Sequence, residues 1–189
     1  MTVEIVRLSA QEIDIVQEQI VHIYELAFAQ PPYHRIEEDV KKFAVSLARH
    51  AQRPGFRCSL ALEDTNGQVL GFTYGYTGAA GQWWHDRVSK ALGPQKAETW
   101  LTGNFELVEL AVLPSEQGRG IGGRLHDTLL TALPHRTAAL STYQLETTAL
   151  HLYRKRGWIT LLDGFVFPGS GEPFIIMGLD LTKHAPQYP

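Results

Sequence analysis

Apolar and polar positions alternate over residues 3–8 (VEIVRL), the period of a strand with one buried face, and Ser9 then stands where a helix would be capped. From Ala10 the spacing changes. Ile13, Val16, Ile20, Ile23 and Ala27 recur at helical steps, and the pattern predicts a helix ending before Pro31 and Pro32. A second helical pattern over residues 36–50 sets Val40, Phe43 and Leu47 on one face. Two strand-like runs follow, FRCSLALED and QVLGFTYGYTG. The Asn66-Gly67 pair between them predicts an antiparallel hairpin, since both residues tolerate positive φ.

Residues 79–104 form a tryptophan-bearing, partly helical connection that is long for a compact domain. Residues 105–114 (FELVELAVLP) read as a strand, and residues 120–132 as a helix with Leu125, Leu129 and Leu130 on its apolar side. A strand over residues 136–144, a helix over 147–157 closed by Gly157, and the runs WITLLDGFVF and PFIIMGLDL complete the chain. The order predicts an α/β fold: a mixed, mostly antiparallel central sheet flanked by helices, in a single domain over residues 1–189.

Composition narrows the partners. The 189 residues are 44% hydrophobic and 20% charged, with a net charge of -3, so one core is expected and no global basic field favours nucleic acid. Cys58 is the single cysteine, which excludes an intrachain disulfide and a cysteine-rich metal site; its apolar strand predicts a buried, inert thiol. The eight histidines show no metal-ligand spacing. No run approaches the ~20 apolar residues needed to cross a bilayer, so a cytoplasmic protein without a membrane partner is expected.

The densest chemistry lies in ELAVLPSEQGRGIGGRLHDTLL. Gly118, Gly120 and Gly123 literally satisfy G-x-G-x-x-G, yet PSEQ separates them from the strand and antiparallel signals precede it, which argues against a dinucleotide unit. Glycines at a helix start nevertheless leave backbone N–H groups open to an anion, with Arg119 and Arg124 adding positive charge.

Gln117-Gly118-Arg119-Gly120-Ile121-Gly122 fits the (Arg/Gln)-x-x-Gly-x-(Gly/Ala) signature, and the whole stretch resembles the acetyl-CoA motif of the GCN5-related N-acetyltransferase (GNAT) family. ALHLYRKRGW resembles that family's second motif, and the element order agrees along nearly the whole chain. The resemblance implies acetyl-CoA as donor, no metal, and parallel strands that splay at the coenzyme A site. It places pantetheine on Leu110, Ala111 and Val112, and the pyrophosphate on Gln117, Gly118, Arg119, Gly120, Ile121, Gly122 and Gly123. The Val112 N–H would hold the oxyanion. Where the family often has asparagine this chain has Glu146, so Thr147 or Thr148 would cap the following helix.

The implied reaction moves the acetyl group to a primary amine by direct attack in a ternary complex. A lysine-like amine of pKa ~10.4 is deprotonated about once in 2500 molecules at pH 7, roughly 4.6 kcal/mol of barrier, so a base is useful. Glu106 and Glu109 are the candidates, on opposite faces of the strand by alternation. Glu106 matches the glutamate of the family's histone-acetylating members. Tyr153 is implied as the group that hydrogen-bonds the departing thiolate. His85, Tyr33 and His34 fall in connections that line acceptor pockets in the family, with aromatic packing of the insertion as the equal alternative, and His126 is expected on the surface. The acceptor is a small-molecule or peptide amine, and the protein a monomer or homodimer. A non-catalytic acyl-CoA sensor is the alternative, though it would need neither Tyr153 nor a strand glutamate.

Overall fold

In the computed structural model, which describes residues 2–183, the strands are β1 (Val3–Leu8), β2 (Arg57–Glu63), β3 (Val69–Thr77), β4 (Phe105–Val112), β5 (Thr137–Tyr143), β6 (Ile159–Val166) and β7 (Pro173–Asp180). The helices are α1 (Ile13–Phe28), α2 (Glu37–Ala51), α3 (Trp83–Leu92), α4 (Pro94–Leu101), α5 (Ile121–Leu130) and α6 (Thr148–Lys155). The strands form one mixed sheet in the order β1-β2-β3-β4-β5-β7-β6. β4 and β5 are parallel, pairing Phe105 with Ala138 and Glu106 with Ala139, whereas β1–β2, β2–β3, β5–β7 and β6–β7 are antiparallel. Of the domain expected over residues 1–189, residues 1 and 184–189 lie outside the described part. The chain divides into two compact units: residues up to 76 with 108–130, and residues 77–107 with those from 131 on.

In the first unit, β3 alternates large with small side chains. Leu70, Phe72, Tyr74 and Tyr76 fall on one face and Gly71 and Thr73 on the other, and all six are buried. Cys58 and Leu60 of β2 pair with Tyr74 and Phe72 and extend the large face; Ser59 and Ala61 pair with Thr73 and Gly71 and extend the small one. The large face packs with α1 and α2 through Ile20, Ile23, Tyr24, Phe43 and Leu47. Tyr24 and Phe43 stack there with ring centroids 3.9 Å apart. The small face receives α5, whose Leu125 is wholly buried. As expected from its strand, Cys58 is a buried thiol, and burial pushes it up to about 12, out of reach of reactivity near neutral pH.

Both expected early helices form, with small shifts. Residues 10–12 make a 3-10 turn before α1, where Ser9 N–H and Oγ both donate to Glu12 Oε2 at 2.7 Å. α2 starts one residue after Ile36 and buries Phe43 and Leu47 as its pattern required. At the hairpin, Gly67 has φ 70° and the Gln68 N–H donates to Asn66 Oδ1 at 2.8 Å.

In the second unit, the long connection of residues 79–104 becomes a helical hairpin, α3 and α4, broken at Gly93 (φ 77°) with Pro94 opening α4. Val88, Ala97 and Leu101 pack with Ala139, Phe167 and Ile176. Trp84 Nε1 donates to Ser141 Oγ at 3.0 Å, and Lys96 Nζ donates to Leu161 O at 3.0 Å.

Gly71 is a tight position in the first unit: a Cβ there would lie 2.7 Å from Ala111 O and 3.2 Å from Val112 Cα, both backbone atoms. Gly71→Ala is therefore expected to lower stability by about 1–3 kcal/mol, or roughly 2–12 °C in Tm. Gly171→Ala, with open space around the added Cβ, leaves Tm unchanged in the same thermal scan.

Candidate active site

β4 leads directly into the glycine loop. The Leu113 N–H donates to Leu70 O at 2.9 Å, and residues 114–116 then make one 3-10 turn. Gln117 Nε2 donates to Val112 O at 3.1 Å, so the signature glutamine ties the loop back to the end of its strand. Gly118 and Gly120 have φ of 78° and 79°, and a Cβ on either would meet nothing within 4 Å. Glycine is needed here for backbone conformation rather than for want of space. α5 begins at Ile121 with no acid in its first turn, and its leading N–H groups lack intrahelical acceptors. This is an open, positive-ended cradle of the kind that holds phosphate oxygens. Arg119 is ion-paired with Glu116, which offsets the charge expected of it, while Arg124 is exposed.

Glu109 lies two residues before Ala111 on the same strand. Thr73 Oγ1 donates to Glu109 O at 2.9 Å, and with Leu113 bonded to Leu70 the numbering rises on β3 as it falls on β4. The two strands are therefore antiparallel, and Tyr74 stands across from Glu109 on the face that carries the aromatic side chains. Glu109 is half-buried and hemmed in by protein. Loss of water raises its pKa to about 8, against smaller opposing pulls from the Arg35 guanidinium and from the Leu110 N–H. Tyr74 is buried, and its phenol is pushed well above its usual range by burial first and by Glu109 second.

Leu110, Ala111, Val112, Gln117 to Gly123 and Glu109 thus fall in the first unit, whereas Glu106 and Tyr153 fall in the second. Glu106 is buried at the parallel pairing with β5. Tyr153 is buried on α6, its ring edge-on to Trp158 at 5.8 Å. Thr147, not Thr148, caps α6 by accepting the Leu150 N–H at 3.1 Å. Glu146, standing in place of the family's asparagine, accepts from Arg154 Nη1 at 2.8 Å.

Some expected placements change. His126 is buried rather than at the surface, because it lies on the inward side of α5, where its Nδ1 sits 2.8 Å from Asp127 Oδ1. His85 stands in the helical hairpin as expected, its Nε2 3.2 Å from Leu101 O. Tyr33 packs edge-on against Phe28 at 4.8 Å, and His34 is exposed with φ 47°. Arg35, beside them, is the residue that reaches Glu109 electrostatically, and no motif in the sequence singled it out.

The family profile described as the acetyltransferase (GNAT) family matches residues 19–158. The chain belongs to the GNAT acetyltransferase family. It is 37% identical over 131 residues to a GCN5-like protein acetyltransferase of Mycobacterium tuberculosis, an alignment covering 64% of this chain and 63% of that protein. The GNAT fold is shared with the ribosomal-protein-S18-alanine N-acetyltransferase of Escherichia coli (TM-score 0.61, 19% identity, 95% of this chain and 94% of that one). It is also shared with PaiA N-acetyltransferase of Thermoplasma acidophilum, solved in complex with coenzyme A (TM-score 0.57, 16% identity, 95% and 99%). Among the described residues of this GNAT chain no helix is long and apolar enough to cross a membrane, and no cluster of metal-ligating side chains occurs.

The raised Glu109 carboxyl makes stability depend on pH. Below about pH 4.5 the group is protonated in both states; between 4.5 and about 8 only the unfolded chain ionises, so the folded state loses ground across that window. Glu109→Gln is therefore expected to match the wild type in Tm near pH 4 and to exceed it at pH 8 by a few kcal/mol in stability.

Proposed function

We propose that this chain transfers the acetyl group of acetyl-CoA to a primary amine by direct attack, with Glu109 as the general base. The observation that carries the reading is the desolvated Glu109 carboxyl, with its pKa raised to about 8, on the strand that opens into the glycine cradle. Moving a proton from an ammonium of pKa ~10.4 to an ordinary carboxylate is uphill by about 8 kcal/mol; to a carboxylate of pKa about 8 it is uphill by about 3 kcal/mol. Only about a tenth of that group is ionised at pH 7, a cost of about 1.4 kcal/mol, so the exchange favours the more basic group.

In this reading the Gln117 to Gly123 loop and the start of α5 grip the pyrophosphate, and Leu110, Ala111 and Val112 offer backbone groups to the pantetheine arm. The Val112 N–H faces the oxyanion. Tyr153 donates a hydrogen bond to the thiolate as it leaves; full proton transfer from a phenol of pKa ~10 to a thiolate of pKa ~8.5 would be uphill by about 2 kcal/mol. The identity to a relative named as a protein acetyltransferase favours an amine on a protein, a lysine side chain or an N-terminus, over a free metabolite.

A thiol-release assay with acetyl-CoA tests this against lysine peptides, N-terminal peptides, polyamines and small amines. Turnover is expected with a peptide amine, with kcat/KM rising about tenfold per pH unit up to about pH 8 and then flattening. Glu109→Gln lowers kcat/KM by about 10²–10⁴ and abolishes that acid limb. Tyr153→Phe lowers kcat while coenzyme A binding, read by calorimetry, is retained. Unchanged thiol release in both variants would reject the assignment.

A further inference from the structure

The base of the proposed reaction has a neighbour that neither the motifs nor the family comparison singles out. Tyr74, across the ladder from Glu109, is buried at 1% exposure, and its hydroxyl lies 3.2 Å from His50 Nδ1 on α2. Side chains opposite each other on antiparallel strands have Cβ atoms about 4.5–5.5 Å apart, which sets Tyr74 and Glu109 side by side on one face of the sheet, close enough for Glu109 to act electrostatically on the phenol. His50 itself is half-buried, its ring edge-on to Tyr76 at 5.0 Å, while Arg53 Cζ lies over that same Tyr76 ring at 4.4 Å.

A tyrosine hydroxyl has one proton to give. If His50 takes it, the oxygen presents only lone pairs to Glu109, which attract a protonated carboxyl and repel a carboxylate. We propose that His50 is a positioning residue: by accepting the Tyr74 hydroxyl proton at Nδ1, it turns that oxygen's lone pairs toward Glu109 and makes the carboxylate a stronger base. This inference rests on Glu109 being the base.

The surrounding charges agree with the assignment. His50 is held neutral, near about 4, by burial first and then by Arg53 and Arg49, so one ring nitrogen is free to accept. Around Tyr74 stand Glu109 on β4, Tyr76 on β3, Tyr24 on α1 and Cys58 on β2, none of them cationic near neutral pH. Among the described residues the cation acting on Glu109 is Arg35, which pulls its pKa down, and burial is what raises it.

The test reads Glu109 directly, by carbon-13 NMR of its labelled carboxyl in the intact protein, alongside the pH profile of kcat/KM. In Tyr74→Phe the lone pair is gone and the Glu109 titration is expected to fall by about one pH unit. In His50→Leu the freed hydroxyl turns and donates to Glu109, and the fall is at least as large. His50→Asn, whose Oδ1 can accept the same proton, restores the wild-type titration. The His50→Leu/Tyr74→Phe double variant titrates like Tyr74→Phe alone, because His50 acts only through the hydroxyl. A Glu109 titration that rises in Tyr74→Phe, or stays put in His50→Leu, overturns the proposal by showing that the hydroxyl donates to Glu109 or ignores it. Since the NMR titration needs no turnover, it decides this point even if the amine panel yields no thiol release and the reading of Glu109 as base falls.

Discussion

The small face of β2 and β3 is the constraint on which the rest of the first unit depends. Ala61 pairs with Gly71, and a Cβ on Gly71 would strike the backbone of Ala111 at 2.7 Å and the Leu125 side chain at 3.2 Å. Removing that side chain lets β4 and α5 come close enough to bury Ala111, Val112, Ile121 and Leu125. The start of α5 is then held against the end of β4, and Gln117 closes the turn between them through Val112 O. The anion cradle follows from backbone packing; no charged side chain is needed to shape it.

The opposite face carries the cost of that arrangement. With Leu70, Phe72, Tyr74 and Tyr76 facing α1 and α2, any acid on the matching face of β4 enters an aromatic, water-poor setting. Glu109 is there, and a carboxyl whose pKa rises to about 8 lowers stability above its usual titration range. Natural chains retain such conflicts mostly where chemistry requires them. The half-buried Arg35, in the segment between α1 and α2, softens the conflict without removing it.

The second unit shows a different economy of aromatic residues. Trp100 lies against Gly178, where a Cβ would come within 2.7 Å of its ring, and Thr137 Oγ1 donates to Trp100 O at 3.0 Å. Trp84 is tied to Ser141 and His85 to Leu101. The α3–α4 hairpin is thus bound to β5 and β7 by specific contacts of Trp84 and Trp100, while Trp83 stays exposed and stacks on Phe167. On α6 the Thr147 cap and the Glu146–Arg154 pair hold the helix that carries Tyr153.

Sequence by itself determined the order and type of nearly every element, the hairpin at Asn66-Gly67, the glycine cradle and the GNAT family, because periodicity, turn chemistry and motif spacing are local properties of the chain. It narrowed the base to Glu106 or Glu109 and went no further. Which acid sits in a desolvated aromatic setting depends on what packs opposite it, and Tyr74, His50 and Arg35 are brought to Glu109 by strand register and by helix packing across gaps of tens of residues. The same reason put His126 inside rather than outside: a helix pattern tells which residues share a face, but only the packed sheet decides how wide the buried face is. Tertiary structure alone set the protonation of the candidate base, since desolvation is a property of the assembled neighbourhood and of no single segment.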